Sequence, residues 1–145
     1  MSGKFKFSLD KLLDLRREKE EESKRLFTES QREKRKVEEK IEELTNNYEK
    51  YKGISDHEDV IYQKLKRYYV KGLQMGIKAA QDDLITKNLE VDRRRRELIE
   101  KQIERKTVET LKEKKYAAYI KEEERVEQIN LDELALYAFI RNRSN

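Results

Sequence analysis

Gly53-Ile54-Ser55-Asp56-His57-Glu58-Asp59 is the stretch that decides the fold, because it is the only cluster of turn-forming residues in a chain of 145. Proline is absent and the remaining glycines are Gly3, Gly72 and Gly76, so little else punctuates the sequence. Gly53 suits the left-handed position just past a helix end. Ser55, followed three residues later by Glu58, reads as a capping box that opens the next helix. Asp56, Glu58 and Asp59 would complement the positive end of that helix's dipole. The pattern predicts a helix from about Ser8 to Lys52, a turn at about 53–56, and a second helix from about Asp56 to about Arg141.

Outward from the turn, both sides carry a heptad rhythm. Before it, Leu9, Leu13, Arg16, Glu20, Ser23 and Phe27 recur at alternating steps of four and three, and Ser30, Lys34, Val37, Ile41, Leu44, Tyr48 and Tyr51 continue the series. After it, Leu73, Ile77, Ala80, Leu84, Lys87, Val91, Arg94 and Leu98 keep the same beat. This period favours a left-handed supercoil, and a short connection makes consecutive helices antiparallel neighbours. The expected fold is all-α: a long two-helix antiparallel coiled-coil hairpin, one domain over residues 1–145, with a C-terminal helical overhang. With the turn near Ser55 to Glu58, the numbers of facing residues should add to roughly 114. That sets Ile41 opposite Leu73, Ser30 opposite Leu84, Ser23 opposite Val91 and Glu20 opposite Arg94. A slip of one heptad would lose the last pair while keeping most apolar contacts.

The same register leaves helix 2 unpaired beyond about residue 107, a further length of about 35 residues or roughly 50 Å of single helix. A mere spacer would be polar. This segment instead carries Val108, Leu111, Tyr116, Tyr119 and Ile120, then Val126, Ile129, Leu131, Leu134, Leu136, Tyr137, Phe139 and Ile140. An isolated helix with such an apolar stripe reads as a docking surface. Phe5 and Phe7 fall at the same end of the hairpin and are expected to add to it.

Composition agrees with thin packing. Charged residues make up 46% and hydrophobic ones 35%, against about a quarter and about half in a typical globular domain, so a thick closed core is not expected. The 35 basic and 31 acidic residues nearly cancel to +4 and alternate with periodic Leu, Ile and Val, which favours long helices over disorder. Without cysteine there is no disulfide framework, thiolate metal site or cysteine nucleophile. No apolar run approaches a membrane span, and Met1-Ser2-Gly3-Lys4-Phe5-Lys6-Phe7 lacks the apolar centre of a signal peptide, so a soluble cytoplasmic chain without membrane insertion is expected. A charge of +4 spread along two helices gives no reason to expect nucleic acid as a partner.

No residue set suggests catalysis, and no cofactor or metal is expected. His57 stands alone beside the turn, where it reads as a solvated loop residue. Gly72 and Gly76 lack the Gly-Lys-Ser or Gly-Lys-Thr of a phosphate loop and read as a place of close helix approach. Arg93-Arg94-Arg95-Arg96 points in four directions around a helix and is flanked by Asp92 and Glu97, which fits a solvated, internally ion-paired face. Tyr48 and Tyr51 are expected to pack across the hairpin. Tyr68 and Tyr69 are neighbours that cannot both face the seam, so one should be exposed, either as a second partner site or in simple packing.

The opening Phe5-Lys6-Phe7-Ser8-Leu9-Asp10-Lys11-Leu12-Leu13-Asp14-Leu15-Arg16, with the Glu-rich helix after it, resembles the FliJ family of the bacterial flagellar type III export apparatus. Glu122-Glu123-Glu124-Arg125 and Leu131-Asp132-Glu133-Leu134-Ala135 are similar to that family's ending. The resemblance implies a non-enzymatic stalk whose termini-bearing end enters the hexameric flagellar export ATPase. Here that end would correspond to Phe5, Phe7, Leu131, Leu134, Tyr137, Phe139 and Ile140. It also implies that the hairpin tip meets the membrane export gate protein through a patch corresponding to Tyr69, Leu73 and Gly76. In this chain Tyr69 stands where the family has a Phe-type residue, and Ala80 where a polar one is frequent. Export chaperones are further implied partners, and the implied location is cytoplasmic, peripheral at the cytoplasmic face of the cell membrane. The alternatives are a general coiled-coil adaptor or chaperone that holds client helices or homodimerises through the overhang, and an arm that presents nucleic acid to an appended enzyme.

Overall fold

A computed structural model describes residues 3–53 and 55–144, and among them there are two helices and no strand: α1 (Asp10–Tyr51) and α2 (Val60–Arg143). They pack against each other as an antiparallel hairpin. Their contacts fall into two compact units, one drawn from Met1–Lys19 and Gln102–Asn145, the other from Glu20–Lys101.

In the second of these units the seam is thin, as the composition requires. Val37, Leu73, Ala80 and Val91 are buried, and so are Glu20, Ser23 and Ser30. Each is a member of the heptad series. Ser30 tolerates burial because its hydroxyl donates to the Phe27 carbonyl at 2.7 Å, a bond that satisfies that donor within its own helix. Cross-hairpin contacts fix the register: Lys87 pairs with Glu33 at 3.4 Å, Gly76 lies against Leu44, and the Tyr51 and Tyr69 rings meet edge to face at 5.5 Å. Facing numbers therefore add to about 120, about six above the expected 114 and so close to a slip of one heptad. Glu20 accordingly lies level with Lys101 rather than Arg94. Arg94 instead pairs within its own helix, with Glu90 at 3.0 Å and Glu97 at 3.1 Å.

The connection between the helices is the physical reason for the slip. α2 starts at Val60, not near Asp56, and Tyr51 at the end of α1 is level with Tyr69. The first turns of α2 thus run past the end of α1, and the intervening segment climbs back along them. Gln63 holds it by donating its side-chain amide to the Ser55 carbonyl at 3.3 Å and the Glu58 carbonyl at 3.0 Å. Lys66 adds an ion pair to Glu58 at 3.0 Å. Ser55 and Glu58 form the turn, with the Glu58 amide donating to the Ser55 carbonyl at 3.1 Å, but they do not cap α2. The last residue before it is Asp59, whose carbonyl accepts from the Gln63 amide at 2.9 Å.

The unit containing both ends of the chain has a small hydrophobic core. Phe7, Leu13 and Val108 are buried together, with Phe5 and Leu12 packed against them. Residues 3–9 are not helical; they turn through a bond from the Asp10 amide to the Phe7 carbonyl at 3.2 Å and run along α2. Arg16 reaches Glu104 at 2.9 Å and Lys112 reaches Asp10 at 2.8 Å, again at facing sums near 120.

Candidate functional site

The residues expected to dock at the chain's termini separate into two groups. Phe7 is only 7% exposed, inside the core with Leu13 and Val108. The half-buried Phe5 ring lies 5.2 Å from Tyr116, edge-on, and 5.5 Å from Tyr119. The Tyr119 hydroxyl donates to the Gly3 carbonyl. These two phenylalanines therefore cover α2 instead of enlarging an exposed surface. The physical reason is that a non-helical segment can lay both rings against the neighbouring helix, where their burial contributes about 1.5–3 kcal/mol for each fully covered side chain. Covered helix extends in consequence to Tyr119, beyond the expected boundary near residue 107.

Past that clamp, α2 continues as an uncovered helix. Its local stability is built from its own surface: Arg125 and Glu122 pair at 2.6 Å, Gln128 donates to Asp132 at 2.9 Å, and Arg141 and Arg143 sit favourably at the negative end of the dipole. The Arg125 hydrogen bond holds the Glu122 carboxyl below the usual carboxylate range. Ser144 closes the helix, its amide and hydroxyl both donating to the Ile140 carbonyl.

On this segment Leu131, Leu134, Leu136, Tyr137, Phe139 and Ile140 are 51–68% exposed. With successive residues about 100° apart, these six point all round the helix and do not share one stripe. A helix that is apolar all round is ordinarily enclosed by other structure. A flat partner would cover one side and leave the rest in water.

The expected tip residues also divide. Tyr69 is exposed while its ring meets Tyr51, whereas Leu73 is buried and Gly76 sits beneath Leu44. Leu73 and Gly76 thus serve the hairpin's own packing, and a Cβ added at Gly76 would make ordinary contact with Leu44 at 3.6 Å. Of the neighbours Tyr68 and Tyr69, one of which was expected to be exposed, Tyr68 is the more exposed, at 81%. Around it Val60, Ile61, Tyr62 and Leu65 are exposed as well. Three of the four arginines are held by carboxylates of their own helix, Arg93 and Arg94 by Glu90 and Glu97, Arg95 by Asp92. Hydrogen bonds from Arg93 come first among the causes that lower the Glu90 carboxyl from its ordinary value. Among the described residues no group of three or more His, Asp or Glu could hold a metal ion, and no helix is long and apolar enough to cross a membrane.

A family model described as the flagellar FliJ protein matches residues 5–144, nearly the whole chain. The chain belongs to the FliJ family. Neither the comparison with curated proteins nor that with solved structures found a match. FliJ membership makes the chain a component of flagellar protein export. The match spans both the clamp of Phe5 and Phe7 and the uncovered helix end, so both are features to be explained within a FliJ protein. The clamp was visible in the sequence only as aromatic pairs, Phe5 and Phe7 with Tyr116 and Tyr119, at opposite ends of the chain.

Proposed function

We propose that this FliJ-family chain is a non-enzymatic stalk that inserts the end of α2 into the hexameric flagellar export ATPase and presents the other end of the hairpin to the membrane export gate, at the cytoplasmic face of the membrane. The observation that carries the reading is the all-round apolar exposure of residues 131–140, because only a socket closed around the helix removes every one of those side chains from water. Leu131, Leu134, Tyr137, Phe139 and Ile140 are the contact residues. Phe5 and Phe7 act indirectly, by fixing α2 where it emerges. At the tip, Tyr69 is the member of the expected gate patch that is free to touch a partner, and Leu73 and Gly76 support it from within.

The test is the hydrolysis rate and oligomeric state of the same organism's export ATPase with the chain added. Wild-type chain is expected to raise both, and the double variant Leu134→Asp with Phe139→Asp is expected to raise neither while keeping its helical circular dichroism. Full stimulation by that variant would remove the uncovered end from the mechanism. Homodimerisation through the same segment is the competing reading; it predicts a sedimenting dimer that the double variant converts to monomer.

A further inference from the structure

From Val60 to Gln81 the chain contains no aspartate or glutamate, although acidic residues number 31 of 145 and are otherwise interspersed throughout. The stretch does contain Lys64, Lys66, Arg67, Lys71 and Lys78. At about 100° per residue, the first turns of α2 divide into three faces. Gln63, Lys66 and Val70 form a half-buried face, tied down by the contacts of Gln63 and Lys66 to the connecting segment. Lys64, Arg67, Lys71 and Lys78 align on a second, exposed face. Ile61, Leu65, Tyr68 and Met75 align on a third and are exposed too, with Tyr62 and Tyr69 at its border. In the same unit α1 carries both signs, exposed Glu38, Glu39, Glu42 and Glu43 standing with exposed Lys40, Lys50 and Lys52. The purely basic stretch at this end therefore belongs to α2, the helix with the uncovered apolar side chains.

We propose that this face of α2 adsorbs directly to an anionic phospholipid bilayer, with Lys64, Arg67 and Lys71 over the headgroups, Tyr68 at headgroup level, and Ile61 and Leu65 reaching the acyl boundary. The charge complementarity supplies the attraction, and each basic side chain near an anionic surface strengthens binding about fivefold. The adjoining apolar face supplies the second signal that stable surface binding requires. Tyrosine is a residue suited to the headgroup layer, being apolar in the ring and polar at the tip. A folded acidic protein is the less favoured occupant. Two depressions at this place, one lined by Tyr51, Tyr62, Leu65 and Tyr69 and one by Arg67, Val70 and Lys71, have volumes of only about 230 and 260 Å³, smaller than the usual pocket, and the apolar side chains protrude from a convex helix instead of forming a cleft for an anchor residue. The inference adds to the membrane-facing end of the proposed function and is independent of ATPase binding.

The test uses the full chain and sedimenting vesicles of phosphatidylcholine, alone or mixed with phosphatidylglycerol. Binding is expected to the mixed vesicles only, and to weaken as salt rises. Lys64→Gln, Arg67→Gln and Lys71→Gln together are expected to lower partitioning about a hundredfold. Leu65→Ser with Tyr68→Ser is expected to lower it about tenfold at every salt concentration, since it removes the apolar contribution. A control with the same charge loss elsewhere on α2, Lys114→Gln, Lys115→Gln and Lys121→Gln, is expected to bind like wild type. The proposal is overturned if the wild-type chain ignores phosphatidylglycerol, if the control loses as much as the site variant, or if the chain captures a poly-glutamate peptide but no vesicle. ATPase stimulation in lipid-free buffer should be unchanged by the site variant, so a failure of lipid binding and a failure of the stalk reading register in different assays.

Discussion

Replacing Leu13 by Ala examines the clamp on which the emerging helix depends. Leu13 has no exposed surface and packs with Phe7 and Val108. The truncation removes about three methylene equivalents at about 0.8 kcal/mol each, or about 2.4 kcal/mol of transfer free energy. A residual cavity adds to that, but one wall is the non-helical segment before Asp10, which can settle inward and recover part of the loss. The expected cost is therefore about 3 kcal/mol, in the lower half of the range for buried leucines. The identical change at Leu134, 65% exposed, should alter stability by less than about 0.5 kcal/mol. Urea unfolding followed by helical circular dichroism measures both, and amide hydrogen exchange locates the loss. Faster exchange in residues 3–19 and 102–119 is expected for Leu13→Ala. A cost under about 1 kcal/mol, or equal costs at the two positions, would refute the packing argument.

Gly72→Ala should raise stability by about 0.5–1 kcal/mol through helix propensity, because a Cβ there meets nothing within 4 Å; a lower melting temperature would show a hidden neighbour. Tyr119→Phe removes the hydrogen bond to the Gly3 carbonyl and should speed exchange near the N-terminal end with little change in global melting. Glu90, Glu109 and Glu122 are held below the ordinary carboxylate range first by hydrogen bonds from Arg93, Arg105 and Arg125. Since the folded-state value is the lower one, their stabilisation is complete above the ordinary carboxylate range and is lost as pH falls through the lowered value. Carboxyl carbon NMR of wild type and Arg125→Gln checks this: Glu122 should titrate higher in the variant, and identical curves would discount the pair.

The helices and the seam were legible in the sequence because a thin two-helix interface leaves the heptad as the dominant pattern. Leu13, Val37, Leu73, Ala80 and Val91, and even the polar Glu20, Ser23 and Ser30, are buried where that pattern puts them. The register was not legible, because a seam repeating every seven residues looks nearly the same after a slip of seven. What decides it is the connection, where Gln63 and Lys66 hold the segment against α2 in contacts that have no periodic signature. The burial of Phe7 was not legible for a related reason: an aromatic residue outside the helix can serve either as an exposed anchor or as a lid, and Val108, one of its neighbours in space, is distant in sequence. The composition of the uncovered end suggests one stripe. Around the helix, however, Leu131, Leu134, Leu136, Tyr137, Phe139 and Ile140 lie on every side, a surface suited to enclosure.

Hydrogen exchange of the chain with and without the export ATPase tests that enclosure most directly. Within the complex, the amides of residues 121–143 should gain protection on all sides of the helix, while those of Leu73 and its seam neighbours stay as they were. Protection confined to one side of α2, or absent from this segment while present elsewhere on the chain, would contradict insertion of the uncovered end into a closed socket.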